Sequence, residues 1–416
     1  MAEKRILILT SHAGYGHRSA ANAIAAALEE IYAGACEVEI VNPLESDRVP
    51  SLLRSSEAYD KIVTELPGLY QLGYQATGAA LPTTVIESAF TIALYETLRD
   101  LLQHAQPDAI VSTYPGYQAP LNAVFIISQR YIPLLTVVTD LATVHPIWFH
   151  KASDLTLVPT ETVLKMAIEA GLRPEKVQIT GIPVHPLFTR EGRAPQAIRA
   201  ELGWQPDPTT VLAVGSKRVK HMSAALHVIN HSGLPVQLAL VAGGDDQLYQ
   251  HFLNTEWHVP AHVYNFVENL PQMMCAADCI ICKAGGLIVT ESLACGRPLL
   301  LVDVLPGQEV GNAAFVIAGG AGELAQNSVE ALEILCHWLL EGGALLAQRA
   351  ANARRLGRPH AAYEVASLAW QAAERGPTTR AARQIPGRSR LIAMLERYGI
   401  GIDRRARGAE RGEGEL

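Results

Sequence analysis

Three stretches of this 416-residue chain place polar side chains directly after short apolar runs, the position at which open α/β sheets bind ligands. Ile6–Thr10 runs into Ser11-His-Ala-Gly-Tyr-Gly-His17, ahead of an Ala-rich helical segment from Ser19 to Glu30. His17 is an imidazole, the side chain poised to accept a proton at neutral pH. Gly14 and Gly16 let backbone approach a ligand in front of a helix N-terminus, which favours negative charge. The loop is a poor dinucleotide fingerprint, because Ser19 stands where a third small residue belongs. Taken alone, it reads equally well as a structural turn. The second stretch, Asp140-Leu-Ala-Thr-Val-His145-Pro-Ile-Trp148-Phe-His150, follows the apolar run Leu134–Thr139. His145 beside Trp148 suits polar chemistry next to an apolar acceptor. The competing reading puts Trp148 and Phe149 in the core, with His145 merely hydrogen-bonded there.

The third stretch is the densest. Cys282-Lys283-Ala-Gly285-Gly286 leads from a strand into a helix that starts near Leu287 and carries Thr290 and Glu291. The unpaired N–H groups of such a helix start suit a diphosphate. Glu291 can accept hydrogen bonds from both hydroxyls of a ribose, and Gln308 and Glu309, after the next strand, offer an amide and a carboxylate to a sugar. Together these residues point to a nucleotide-sugar site. Cys275-x3-Cys279-x2-Cys282 has the spacing of an iron–sulfur motif. Residues i and i+3 of a strand face opposite sides, however, so Cys279 and Cys282 read as buried thiols. Neither His12 with His17 nor His145 with His150 lies convincingly on a helix, and a metal role for Asp245-Asp246 is weakly supported. No metal site is expected.

The elements that must position these residues alternate between strand and helix. Strands are expected at Ile6–Thr10, Val38–Val41, Ala109–Ser112, Leu134–Thr139 and Leu155–Pro159, and an amphipathic helix near 84–103. A second set follows the linker-like Trp204-Gln-Pro-Asp-Pro208: Thr210–Gly215, Val236–Ala242, Val263–Phe266, Cys279–Cys282 and Pro298–Val302. The chain therefore reads as two α/β domains joined near residue 205, with a closing helix at Ala344–Ala373. Beyond Arg375 periodicity is lost except at Leu391–Arg397, so disorder with a helical turn or two is expected there.

Composition narrows the class. Hydrophobic residues make up 49% and charged residues 18%, which excludes wholesale disorder. The net charge of −7 argues against a nucleic-acid binder. Residues 375–416 nevertheless hold ten Arg against five acids. Six Cys do not make a disulfide scaffold, no apolar signal core follows Met1, and Leu121–Thr139 is cut by Gln129-Arg130 and Pro133, so a cytoplasmic protein that does not span a membrane is expected.

Ser11-His-Ala-Gly-Tyr-Gly-His-Arg18, Val138 through His150, and Lys283-Ala-Gly-Gly through Pro306-Gly-Gln-Glu-Val-Gly-Asn312 resemble the monogalactosyldiacylglycerol synthase and processive diacylglycerol glucosyltransferase family, over roughly residues 5–370. The family is related more distantly to the transferase that adds N-acetylglucosamine in peptidoglycan lipid synthesis. The resemblance implies an α/β GT-B fold, two Rossmann-like domains facing across a cleft. On that basis 1–205 is the acceptor- and membrane-binding domain and 206–345 the UDP-sugar domain, 346–374 is a closing helix returning to the first domain, and 375–416 is a basic tail. It also implies inverting, metal-independent transfer of galactose or glucose from UDP-galactose or UDP-glucose to 1,2-diacylglycerol, with no cofactor, on the cytoplasmic face of a membrane bearing anionic lipids.

By motif, His17 resembles the catalytic base and His145 a polar partner near the acceptor or donor sugar, with Gly14, Gly16 and Trp148 on the acceptor side. Lys283, Gly285, Gly286, Thr290 and Glu291 resemble the nucleotide segment, Phe266 and Val267 lie near the uracil, and Gln308, Glu309 and Asn312 look like sugar and phosphate contacts. Gly215 and Ser216 open a loop, Val214-Gly-Ser-Lys-Arg-Val-Lys220, that replaces the family's glycine-rich turn; Lys217, Arg218 or Lys220 can supply charge there instead. Two rivals stand beside this reading: transfer to another lipid or a polyprenyl-linked acceptor, and a UDP-sugar-binding regulator without turnover. Bilayer docking is expected through residues 50–100, where Leu66, Leu69, Tyr70, Leu72 and Tyr74 offer apolar anchors, aided by the tail.

Overall fold

A computed structural model describes residues 3–12, 15–50, 83–190, 193–217, 219–379 and 388–401. Gly14, most of the 50–100 stretch and the end of the tail lie outside the described residues. The chain forms two units, the first from residues 1–139, 144–183 and 362–416, the second from 140–143 and 184–361.

In the first unit, strands β1 (Lys4–Leu9), β2 (Cys36–Val41), β3 (Ala109–Ser112), β5 (Leu134–Val137), β6 (Leu155–Val158) and β7 (Val177–Ile179) form a parallel six-stranded sheet in the order β2-β1-β3-β5-β6-β7. Its strands are nearly continuous Ile, Leu and Val because both faces are covered, as parallel sheets require. One face packs helix α1 (Tyr15–Tyr32) through Ala23, Ile24, Ala27 and Leu28, together with Ala-rich residues 361–373. The other packs helices α2 (Thr83–Ala105) and α3 (Gln118–Ser128). The strand order reverses between β1 and β3, and the carboxyl ends of strands at such a switch point are where open α/β sheets bind ligands.

The second unit repeats the plan. Strands β8 (Thr209–Val214), β9 (Val236–Val241), β10 (Ala261–Tyr264), β11 (Cys279–Lys283), β12 (Leu299–Asp303) and β13 (Gly322–Leu324) form a parallel sheet in the order β10-β9-β8-β11-β12-β13, with its switch point between β8 and β11. The buried Cys279 and Cys282 are part of β11. Helices α4 (Gly286–Ala294) and α5 (Gln308–Ala318) follow β11 and β12.

Three sequence expectations need correction. The crossing between units falls at Pro183/Val184, not near 205. Trp204 is only 3% exposed, its indole N–H donates to the Tyr264 hydroxyl at 2.9 Å, and Gln205 is bonded to Gln237, so the Pro-rich stretch packs on the second sheet instead of linking domains. The closing helix is instead the later part of Ser328–Leu356 in the second unit, a segment broken by non-helical backbone at Leu340, Glu341, Gly342 and Gly343, followed by α6 (Ala361–Arg375), which lies in the first unit except for its opening residue. Two pieces of the tail pack on the first unit. Strand β14 (Thr378–Thr379) pairs antiparallel with β4 (Arg130–Tyr131), and helix α7 (Arg388–Arg397) seats Leu395 in the core beside α2 and α3. Helix α7 matches the helical turns expected at Leu391–Arg397, whereas the two-residue strand pairing is too short for periodicity to register. Leu395→Ala should therefore lower stability by about 2 kcal/mol, the low end for a leucine truncation at an element edge that can partly collapse. Chemical denaturation reads it, and a change below about 0.5 kcal/mol, the scale of surface substitutions, would show that α7 does not pack.

Candidate active site

His17 lies in the first turn of α1, which begins at Tyr15, four residues before the expected helix start. The strand-to-helix connection after β1 thus delivers the imidazole to the switch point itself. There its Nδ1 meets two groups at 2.8 Å, the Thr113 carbonyl just beyond β3 and the Thr139 hydroxyl two residues beyond β5. A carbonyl only accepts, so Nδ1 carries the proton and donates, and the lone pair of the neutral ring sits on Nε2. Thr113 is bound in turn, its hydroxyl donating to the carbonyls of Leu9 and His17. The Tyr114 ring meets His17 edge-on at 5.3 Å and Trp148 lies tilted at 6.0 Å. Burial among these groups pushes the His17 pKa down to about 4, opposed by the Thr113 carbonyl. The ring is therefore neutral at neutral pH, oriented by its protonated nitrogen, with its basic nitrogen unprotonated: the arrangement of a general base.

The neighbouring residues divide. Trp148 is 1% exposed and packs with Val138, Val144, Phe149 and Val158, so it backs the imidazole from the core. His145 caps a short 3-10 helix, its Nδ1 accepting the Ile147 N–H, which leaves the proton of the neutral ring on Nε2. Its ring is a donor or a brace there. Gly16 has open space where a Cβ would stand. His12, exposed, pairs with Glu45 at 2.7 Å. Thr113 and Thr139 were missed by sequence reasoning. Their one signal is position, since both follow the last residues of core strands.

In the second unit the predicted donor residues gather along the carboxyl edge of β8, β10, β11 and β12. Gly215 follows β8, and its carbonyl passes so near Gly243 (φ +65°) that a Cβ on Gly243 would lie 2.2 Å from it, so the turn at 243 demands glycine. Ser216 follows, half-buried. Phe266, 74% exposed, and half-buried Val267 lie just past β10, an apolar platform at a strand end. Lys283 ends β11, and its ammonium group lies beside Gly285, the cap of α4, while pairing with the Glu309 carboxylate. The first N–H groups of α4 thus stand beside the Lys283–Glu309 ion pair.

Glu291 is 8% exposed on α4, and no described residue donates a hydrogen bond to its carboxylate. Burial raises its pKa to about 8. A buried, unpartnered carboxyl at a switch point is what a hydroxyl-bearing ligand would complete. Thr290, by contrast, donates back to the Gly286 carbonyl within α4. Glu309 also accepts the Leu305 N–H, while Asn312 donates to the Ala284 carbonyl and so ties α5 to the glycine loop; the Asn312 Oδ1 is buried without a partner among the described residues. Gln308 opens α5 behind Gly307. Asp245 caps the helix Asp246–Asn254 by accepting from Gln247 and Leu248, which replaces the weak metal reading with a structural role.

Two doubly wound sheets, each with polar side chains gathered at its switch point, define a glycosyltransferase of the GT-B fold. Solved structures agree on the fold. MurG from Acinetobacter baumannii aligns with a TM-score of 0.56 at 15% identity, covering 89% of this chain and 99% of that one. MnaA from S. aureus, solved with UDP, aligns at 0.57 and 14% identity, covering 87% and 94%. A family model described as monogalactosyldiacylglycerol (MGDG) synthase matches residues 17–184, and one described as glycosyl transferases group 1 matches 196–356. A probable chloroplastic monogalactosyldiacylglycerol synthase of Glycine max is 32% identical over 377 residues, covering 87% of this chain and 70% of the relative. The Spinacia oleracea enzyme is 32% identical over 380 residues, covering 87% and 71%. The chain belongs to the monogalactosyldiacylglycerol synthase family.

Proposed function

We propose that this protein transfers a hexosyl group, galactosyl or glucosyl, from a UDP-sugar to the free hydroxyl of 1,2-diacylglycerol, with inversion at the anomeric carbon. The observation that carries the reading is His17, held neutral with Nδ1 donating to Thr113 and Nε2 basic. A glycerol hydroxyl is a weak nucleophile at neutral pH. Nε2 takes its proton as the oxygen attacks the anomeric carbon, the bond from that carbon to the diphosphate breaks on the opposite face, and UDP leaves as an anion. The helix α4 N-terminus and neighbouring ammonium groups meet that charge, so the reaction proceeds without metal or cofactor. Among the described residues no helix is long and apolar enough to cross a membrane, and a diacylglycerol acceptor requires a bilayer surface. The enzyme therefore works as a peripheral protein, on the cytoplasmic leaflet, where anionic lipids attract basic segments.

One assay tests these steps together. Radiolabelled UDP-galactose and UDP-glucose are offered with diacylglycerol in neutral or anionic vesicles, with and without EDTA. Label should enter a monohexosyl lipid of β-configuration, faster on anionic vesicles, and EDTA should leave most of the rate. Loss of transfer in EDTA that added divalent metal restores, or an α-linked product, would reject the corresponding step. Absence of any labelled lipid with either donor would leave the binding-only rival in place.

A further inference from the structure

Asp303 closes β12 at the carboxyl edge of the second sheet, next to β11 and its glycine loop, and its side chain is only 12% exposed. Its Oδ2 accepts the backbone N–H groups of Lys220 at 2.8 Å and His221 at 2.9 Å, and its Oδ1 accepts from the His221 Nδ1–H at 2.5 Å. Three donors from the loop that follows β8 thus converge on one carboxylate. The loop reads Gly215-Ser-Lys-Arg-Val-Lys-His221, with no glycine after Gly215 to open its backbone to a phosphate. The amides of Lys220 and His221 are spent on Asp303 and are no longer available to a ligand. The side chains of Lys217 and Lys220 are exposed and make no ion pair or hydrogen bond with the described residues.

We infer that Asp303 is a positioning residue for the donor site: it pins the 215–221 loop so that the Lys217 and Lys220 ammonium groups, instead of free backbone amides, bind the diphosphate of the donor. The inference rests on the UDP-sugar reading above. Its physical logic is that an anchored carboxylate cannot itself meet an anion, yet it fixes two lysines whose stems would otherwise sweep a wide volume. Charge-assisted contacts of this kind strengthen when the loop that carries them is preorganised. His221, exposed on its outer side, completes the anchor.

The test uses the full-length protein, with UDP and uridine as probes and binding followed by calorimetry and saturation-transfer NMR. Lys217→Gln/Lys220→Gln, exposed changes that leave folding intact, should weaken UDP by about 10–100-fold, flatten its salt dependence and leave uridine binding unchanged. Asp303→Ala should weaken UDP to a similar degree with uridine unchanged and raise KM for the UDP-sugar more than it lowers kcat. Asp303→Asn, which keeps an acceptor for the amides but not for the imidazole N–H, should fall between. UDP affinity unchanged in the folded lysine double variant overturns the proposal, as does an Asp303→Ala protein that loses uridine and UDP in parallel. If the wild-type protein binds neither probe, the UDP-sugar reading itself falls, and this inference with it.

Discussion

Replacing His17 with alanine should slow sugar transfer by about 10²–10⁴-fold, the scale on which general bases contribute. The dissociation constant for UDP should stay the same, because the candidate donor residues belong to the other unit. The variant loses one hydrogen bond to the Thr113 carbonyl and one contact with Thr139, about 0.5–1.5 kcal/mol each, so it should remain folded. Steady-state transfer beside a UDP titration separates the two effects. A folded variant that keeps most of its turnover would move the proton to another acceptor. Parallel loss of stability and turnover would make His17 only a brace for the turn.

The same residue sets an acid limit. With a folded pKa of about 4 against an ordinary 6.5, His17 binds fewer protons in the folded state than in the unfolded chain across that window. Its folded form is thus at no disadvantage above pH 6.5, and stability falls as pH drops from there toward 4. His150, pushed down to about 4 by burial, adds to the same slope. His17 contributes no loss of rate between pH 6 and 8, since the base is already unprotonated there.

Glu291 should show the opposite sign. Its folded pKa of about 8 lies far above the ordinary 4.5, so the folded state holds an extra proton between those values, and this group lowers stability as pH rises through the window. Ribose hydroxyls donate to a carboxylate, so UDP binding favours its ionised form. Binding at pH 7 should then release a proton, and UDP affinity should rise with pH until about 8 and level off. Calorimetry in two buffers of different ionisation enthalpy counts that proton. Glu291→Ala should raise the UDP dissociation constant about 10–150-fold, equivalent to about 1.5–3 kcal/mol for hydrogen bonds to a charged group. Glu291→Gln should abolish the pH dependence. Proton-neutral binding with unchanged affinity in both variants would remove Glu291 from the ribose site.

Much of this architecture was readable from residue order alone. Apolar runs of four to six residues ending in Gly, His or Asp mark parallel strands buried on both faces, and each predicted strand has an observed counterpart within a few residues. Of the runs that escaped notice, Val177–Ile179 and Gly322–Leu324 are edge strands of three residues and Arg130–Tyr131 and Thr378–Thr379 strands of two, all too short for periodicity to register. The glycine loop after β11, with Glu291 beyond it, was legible because a strand–Gly-Gly–helix sequence has few other uses.

Sequence alone singled out His17, Glu291 and Lys283 by residue type and by their place just after or at the end of strands. Tertiary structure decided what state they are in. Thr113 stands 96 residues from His17 and Thr139 stands 122 away, yet their contacts choose the imidazole tautomer, and the surrounding burial keeps the ring neutral. Asp303 reaches across 83 residues to spend the amides that a glycine-rich turn would have offered. Trp148 looked equally suited to an acceptor wall or a core, and packing assigned it to the core. Residue type and spacing are local properties carried by the chain. Protonation, tautomer and the fate of each hydrogen-bonding group depend on desolvation and on partners that only folding brings within about 3 Å.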